Sequence, residues 1–214
     1  MDEEITIIDS NTRNEKIKNF FINNKKNLIV GATIILTIII GYLLMNEMKE
    51  QKKMESANLF NITTINFKLD DKQTTINQLT KLIYENDTTY SPLALYFLID
   101  NNLIENNVEI NILFDELLNE TKLDDEIKNL IIYKKGLYNA EKENEEILLN
   151  ILNPLINSES IWRSHAMYLM AEFFYAKGEK LKSKEFFSQI ASLANANKDI
   201  SQSAQKRLSR DFSE

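Results

Sequence analysis

A serine and a histidine stand side by side at Ser164 and His165, and His165 is the one histidine of the chain. These are the residue types of a nucleophile and its base, which work only when their side chains share a hydrogen bond. Neighbours on a helix point about 100° apart, so this pair cannot align. His165 is expected to be a structural or surface histidine. Trp162, just before it, reads as a packing anchor at a helix start, with an interface role left open. The runs Asp124-Asp125-Glu126 and Glu145-Glu146 carry the residue types of a cation site. Each opens an expected helix, however, where carboxylates complement the macrodipole. There is no cysteine, EF-hand loop, Gly-rich phosphate loop or H-E-x-x-H run, so neither a metal nor a nucleotide nor any other cofactor is expected. Since no nucleophile, base or ligand set assembles, the chain is not expected to be an enzyme or to take a small-molecule substrate.

The elements that carry these residues are helices. A chain of 214 residues has four Gly and two Pro, whereas a sandwich or barrel needs a turn every 8 to 12 residues or so. The formal net charge is −7. Residues 1–46 balance five acids (Asp2, Glu3, Glu4, Asp9, Glu15) against five bases (Arg13, Lys16, Lys18, Lys25, Lys26). The excess therefore belongs to the remainder, and an acidic domain without a basic, aromatic-studded patch repels phosphate backbones, so no nucleic acid is expected as a partner.

Between Asn27 and Asn46 no residue is charged. This stretch holds Leu28, Ile29, Val30, Ile34, Ile35, Leu36, Ile38, Ile39, Ile40, Leu43 and Leu44, which together favour insertion into a bilayer by roughly −3 to −6 kcal/mol. A core helix would show polar residues along one side; the run offers two threonines, Thr33 and Thr37. A cleaved signal would end in small residues, but Asn46-Glu47-Met48-Lys49 follows. Residues 27–46 are therefore expected to be an uncleaved transmembrane helix in the lipid bilayer. Five Lys or Arg precede it against Lys49, Lys52 and Lys53 just after, which places the N-terminal segment, residues 1–26, in the cytoplasm. Ile17, Phe20 and Phe21 share a helical face in that segment. It either rests on the leaflet or merely extends the anchor.

After the span, apolar residues recur at three and four between short polar clusters, the period of helices. The expected run begins with a continuation through Met54, Ala57, Phe60, Thr64 and Phe67, then Thr74 to Tyr84. A third helix is expected with Ser91 as N-cap and Pro92 at its first position, carrying Leu93, Tyr96, Phe97 and Ile104. Further helices are expected over 110–118, 124–140, 145–156, 161–177, 180–194 and 200–210. A repeat is visible within them. Gly136 lies seven residues before Glu143 as Ala171 does before Gly178, and Gly136 and Ala171 are 35 apart, as are Leu148 and Ser183. A helix-turn-helix unit of about 34 residues is the tetratricopeptide period. Met170, Ala171, Phe174, Gly178, Ser183 and Phe187 occupy its signature positions. In the preceding unit Gly136 fits, while Lys135 and Asn139 do not. The chain is thus expected to be all-α, one N-terminal transmembrane helix followed over residues 47–214 by a tetratricopeptide-like stack of helical hairpins.

The whole chain resembles the ancillary SecYEG translocon subunit family. The resemblance lies in Ile17-Lys18-Asn19-Phe20-Phe21, in Asn24, Lys25, Leu28 and Gly31, in Met54 to Phe60, in Ser91-Pro92-Leu93-Ala94, and in Trp162, Leu169, Ala171 and Gly178. It implies a bacterial inner-membrane protein with a cytoplasmic N-terminus and a periplasmic tetratricopeptide-like domain. It further implies Sec translocon subunits and a periplasmic prolyl-isomerase-type chaperone as partners. The alternative is a cell-division or envelope-assembly coordinator using the same domain. The charge bias generates a test of topology. A periplasm-active phosphatase fused after Glu214 is expected to be active, and activity only when it precedes Met1 reverses the orientation.

Overall fold

The computed structural model describes residues 2–68 and 71–212, with side chains from Arg13 onward. Among these residues there are ten α-helices and no strand. They are α1 Asp2–Asn23, α2 Lys25–Ile65, α3 Lys72–Tyr84, α4 Tyr90–Asp100, α5 Asn107–Glu120, α6 Asp125–Asn139, α7 Glu145–Ile156, α8 Arg163–Ala176, α9 Lys180–Ser192 and α10 Lys198–Asp211. Two compact units divide the chain, Met1–Glu55 and Ser56–Glu214. Ser56 is the first buried residue after the apolar run, and residues 47–55 are all exposed.

In the first unit, α2 is long and apolar enough to cross a membrane, and none of its most apolar stretch is buried. Eighteen residues from Leu28 to Met45 rise about 27 Å, close to the hydrocarbon thickness. Thr33 and Thr37 donate their hydroxyls to the carbonyls of Ile29 (2.8 Å) and Thr33 (2.9 Å). Polar side chains in such a run are thereby satisfied inside the helix, as lipid demands.

In the second unit, each helix from α3 to α10 packs on the next, and α3, α6 and α8 also touch α5, α8 and α10. This is the neighbour pattern of stacked hairpins. The asparagine-rich composition serves the ends of the helices. Asn106, Asp124, Asn144 and Asn197 are N-caps whose side chains accept from Val108, Glu126, Ile147 and from Asp199 with Ile200, each sparing an orphan donor. Asn86, Asn102 and Gly178 take left-handed backbone, with φ of 56°, 50° and 80°, and so stop or redirect the chain after a helix.

Several local expectations are corrected. Ser91 is not the N-cap of α4, which starts one residue earlier. Asp87 accepts from the backbone N–H groups of Thr89 (2.9 Å) and Tyr90 (2.7 Å), leaving the Ser91 hydroxyl to donate to the buried Leu82 carbonyl at 2.7 Å. Pro92 remains in the first turn, where no intrahelical donor is needed. Ile104 lies beyond α4, because the left-handed Asn102 ends it. Met54 stays on the helix but is exposed, and Phe67 falls just past Ile65, where it meets Phe97 edge-on at 5.5 Å.

The core runs through three clusters along the stack. The first centres on Leu79, Leu95 and Phe114, the second on Leu152, Met170 and Phe174, the third on Ala171, Phe187 and Ala204. Because the helices bury their apolar faces against one another, a fragment from Ser56 to Glu214 is expected to be monodisperse without detergent and predominantly helical by circular dichroism. A coil spectrum or aggregation would show that the stack needs the first unit.

Candidate functional site

The signature residues of the repeat are interior. A Cβ on Gly136 would overlap Leu152 Cδ2 and lie 3.0 Å from its Cγ, so a side chain there requires the buried Leu152 to move. Ala171 holds the corresponding place in α8 and is fully buried among Phe187, Ile190 and Ala204. Met170 and Phe174 face the second cluster, and Phe187 and Ser183 are fully buried. The Ser183 hydroxyl has no hydrogen-bond partner, where the tetratricopeptide pattern has an alanine. Gly178 has open space beside it, and its role is its positive φ in the α8–α9 turn. The eleven anchor residues Leu28, Ile29, Val30, Ile34, Ile35, Leu36, Ile38, Ile39, Ile40, Leu43 and Leu44 are all exposed on α2.

What the sequence reading missed is a polar layer between α5 and α6. Lys135 and Asn139, the two positions that break the repeat pattern, are the ones that form it. Lys135 pairs with Asp115 at 2.6 Å. Asn139, 1 % exposed, exchanges amide hydrogen bonds with Asn111 at 2.9 and 3.0 Å and donates to the Lys135 carbonyl at 2.8 Å. The Tyr138 hydroxyl donates to Asn107 at 2.8 Å. On α5, Asn107, Asn111 and Asp115 are spaced by four, the helical interval that puts them on one face. The signal was there in the paired misfits, four apart on α6 as well.

Polar rungs also join residues one repeat apart. Thr121 donates to Asn86 (2.8 Å), Ser160 to Glu126 (2.7 Å), Asn195 to Glu159 (3.0 Å), Lys182 to Glu145 (2.8 Å) and Arg207 to Glu172 (2.8 Å), at separations of 35, 34, 36, 37 and 35 residues. Glu126 and Glu145 therefore do more than open helices; each ties its own repeat to the next. Ser164 and His165 diverge as their helical spacing requires. The Ser164 hydroxyl accepts from the Asn197 N–H at 3.1 Å, while His165 lies against Tyr133 and Trp162, ring centroids 5.7 and 5.1 Å away. Burial lowers the His165 pKa below the ordinary value, with the Ile161 carbonyl opposing in part. Trp162 stacks on Tyr133 at 5.8 Å and so binds α8 to α6.

Two grooves remain open on the surface of the stack. One, of about 510 Å³, runs between α4 and α6 and is lined by Pro92, Leu93, Tyr96, Leu123, Ile127 and Leu130. Leu93 and Ile127 are exposed there. Lys134 sits 5.2 Å over the Tyr96 ring, and burial pushes the Tyr96 hydroxyl up to about 12, so it stays a neutral donor. The other, of about 480 Å³, lies among α5, α6 and α7 and is lined by Leu118, Ile132, Ile147, Ile151 and Pro154. Charge divides along the same axis. Residues 56–126 carry thirteen acids and four bases, net −9, and residues 127–214 eleven acids and thirteen bases, net +2. Among the described residues no group of three or more His, Asp or Glu is placed to hold a metal. Apolar grooves with polar rims have the form of surfaces that can seat apolar side chains or other apolar groups.

No family model matches the chain, and no curated protein or solved structure does.

The α5–α6 layer yields a double-mutant cycle. Asn139→Leu alone leaves the Asn111 amide without its buried partner and is expected to cost about 1–3 kcal/mol in urea unfolding. Adding Asn111→Leu is expected to restore most of that loss, because two apolar groups replace a matched polar pair. Strictly additive losses would mean that the pair is not coupled.

Proposed function

We propose that this chain is a membrane-anchored periplasmic interaction scaffold of the bacterial inner membrane, an ancillary subunit of the Sec translocon that links it to periplasmic chaperones. The observation that carries the scaffold reading is the open apolar groove between α4 and α6, on a stack whose reactive residue types are spent on packing and capping. A repeat stack presents an extended surface whose side chains are free of the core. The assignment to the translocon and to a prolyl-isomerase-type chaperone rests on the resemblance of the N-terminal Ile17 to Phe21 run, the anchor and the Trp162 helix.

Tethering strengthens such a role. A domain confined beside a bilayer meets other membrane-bound partners at high effective concentration, so contacts that are weak one at a time suffice. The periplasmic orientation follows from the excess of Lys and Arg ahead of the apolar run.

In-cell photocrosslinking from Leu93, Ile127 and Ile147 tests the reading, since all three are exposed and line the two grooves. Translocon subunits, the chaperone or emerging secretory chains are the expected products. Capture only of cell-division or peptidoglycan-synthesis proteins would assign the domain to the coordinator reading. Turnover of a small molecule by the purified chain would overturn the scaffold reading itself.

A further inference from the structure

More apolar surface is exposed in the first unit than a single span accounts for. Ile17, Phe20, Phe21 and Ile22 precede the uncharged run, and each is about half or more exposed. Phe20 and Phe21 meet edge-on at 6.0 Å. Helical spacing puts Ile17, Phe20 and Phe21 on one face of α1 with Arg13 at its N-terminal end, Lys16, Asn23 and Lys18 on its flanks, and Glu15 and Asn19 on the far side next to Ile22. From residue 13 to residue 26 there are five bases and one acid. All five bases, Arg13, Lys16, Lys18, Lys25 and Lys26, are exposed, and none is ion-paired with a described residue.

Helices α1 and α2 meet at Asn24. The Phe20 carbonyl there accepts both the Asn24 backbone N–H and its Nδ2, each at 3.0 Å. The Leu28 N–H in turn donates to the Asn24 carbonyl at 2.9 Å, so the backbone ladder runs on through Asn24, and the added side-chain bond is local competition for one carbonyl, the kind that softens a helix at that point. Across this joint lies an apolar hollow of about 460 Å³ lined by Phe21, Ile22, Lys25, Leu28, Ile29 and Ala32. A hydrophobic floor with an ammonium at its edge complements an acyl chain beneath a phosphate.

We infer that residues 13–26 dock on the surface of an anionic phospholipid bilayer, with the Ile17, Phe20 and Phe21 face at the acyl boundary, the flanking bases on headgroup phosphates and the segment around Asn24 as the joint to the span. The occupant follows from charge. An apolar protein face would cover the phenyl rings but would leave the rim of bases uncompensated, whereas an anionic leaflet satisfies both and lies where the span begins. The inference rests on α2 being a membrane anchor, and its test separates the two.

The chain has no cysteine, so the full-length protein can carry one environment-sensitive fluorophore at a time, on Phe20→Cys, Asn19→Cys or Leu36→Cys. It is reconstituted into vesicles of phosphatidylcholine alone or mixed with phosphatidylglycerol. In anionic vesicles the label at position 20 is expected to shift to the blue and resist aqueous iodide, while the label at position 19 stays accessible. Neutralising Lys16 and Lys18 to Gln is expected to loosen docking about fivefold per charge, and added salt acts in the same direction. A label at position 36 open to iodide would overturn the anchor, and the inference with it. If position 36 is shielded while position 20 remains as open as position 19, or is shielded equally in neutral lipid, docking on anionic lipid alone is overturned. The same holds if position 20 becomes shielded only when other membrane proteins are present, which assigns the face to a protein.

Discussion

A helical hairpin of thirty-odd residues cannot bury its own apolar faces, and everything in the second unit follows from how each hairpin borrows a surface from the next. At the α6–α7 crossing the bare backbone of Gly136 lets Leu152 fill the space a side chain would need. One repeat later Ala171 does the same work against Phe187. Holding successive hairpins at a common spacing then brings residues about 35 apart into register. The rungs from Asn86 to Thr121, Glu126 to Ser160 and Glu172 to Arg207 are the consequence.

The stack is not uniform along its length. Between α7 and α8 the helices meet through the apolar side chains of Leu148, Leu152, Met170 and Phe174. Between α5 and α6 the matching positions are Asn139 and Lys135, met by Asn111 and Asp115. Hydrophobic contact tolerates sliding by a turn more readily than a reciprocal amide pair does, because a misplaced Asn leaves a buried donor and acceptor unmatched. The polar layer thus favours one register of the second hairpin against its neighbour.

The α4–α6 groove opens between two helices that are not direct packing neighbours in the stack, with Leu93, Tyr96 and Ile127 in its lining. Its apolar floor and the net charge of −9 on residues 56–126 lie in the same part of the stack. In the first unit the logic is inverted: apolar residues face outward all round α2, and the bases gather ahead of it, so the surrounding medium takes the place that neighbouring hairpins hold in the second unit.

Much of this was legible in the sequence because it depends on local rules. The apolar run from Leu28 to Leu44, the helical period, and Gly136, Ala171 and Gly178 as the small residues of a repeat are one-dimensional signals, and the helices lie within a few residues of where the spacing put them. Caps were less legible. Ser91 reads as the N-cap, yet Thr89 holds that place, Asp87 accepts from the Thr89 and Tyr90 N–H groups, and the Ser91 hydroxyl donates to the buried Leu82 carbonyl instead. Lys135 and Asn139 read as flaws in a pattern, for their partners Asp115 and Asn111 lie 20 and 28 residues away on another helix. Only the folded stack decides which polar groups meet, since a donor in one hairpin has no preference for an acceptor in another until packing has fixed the distance between them.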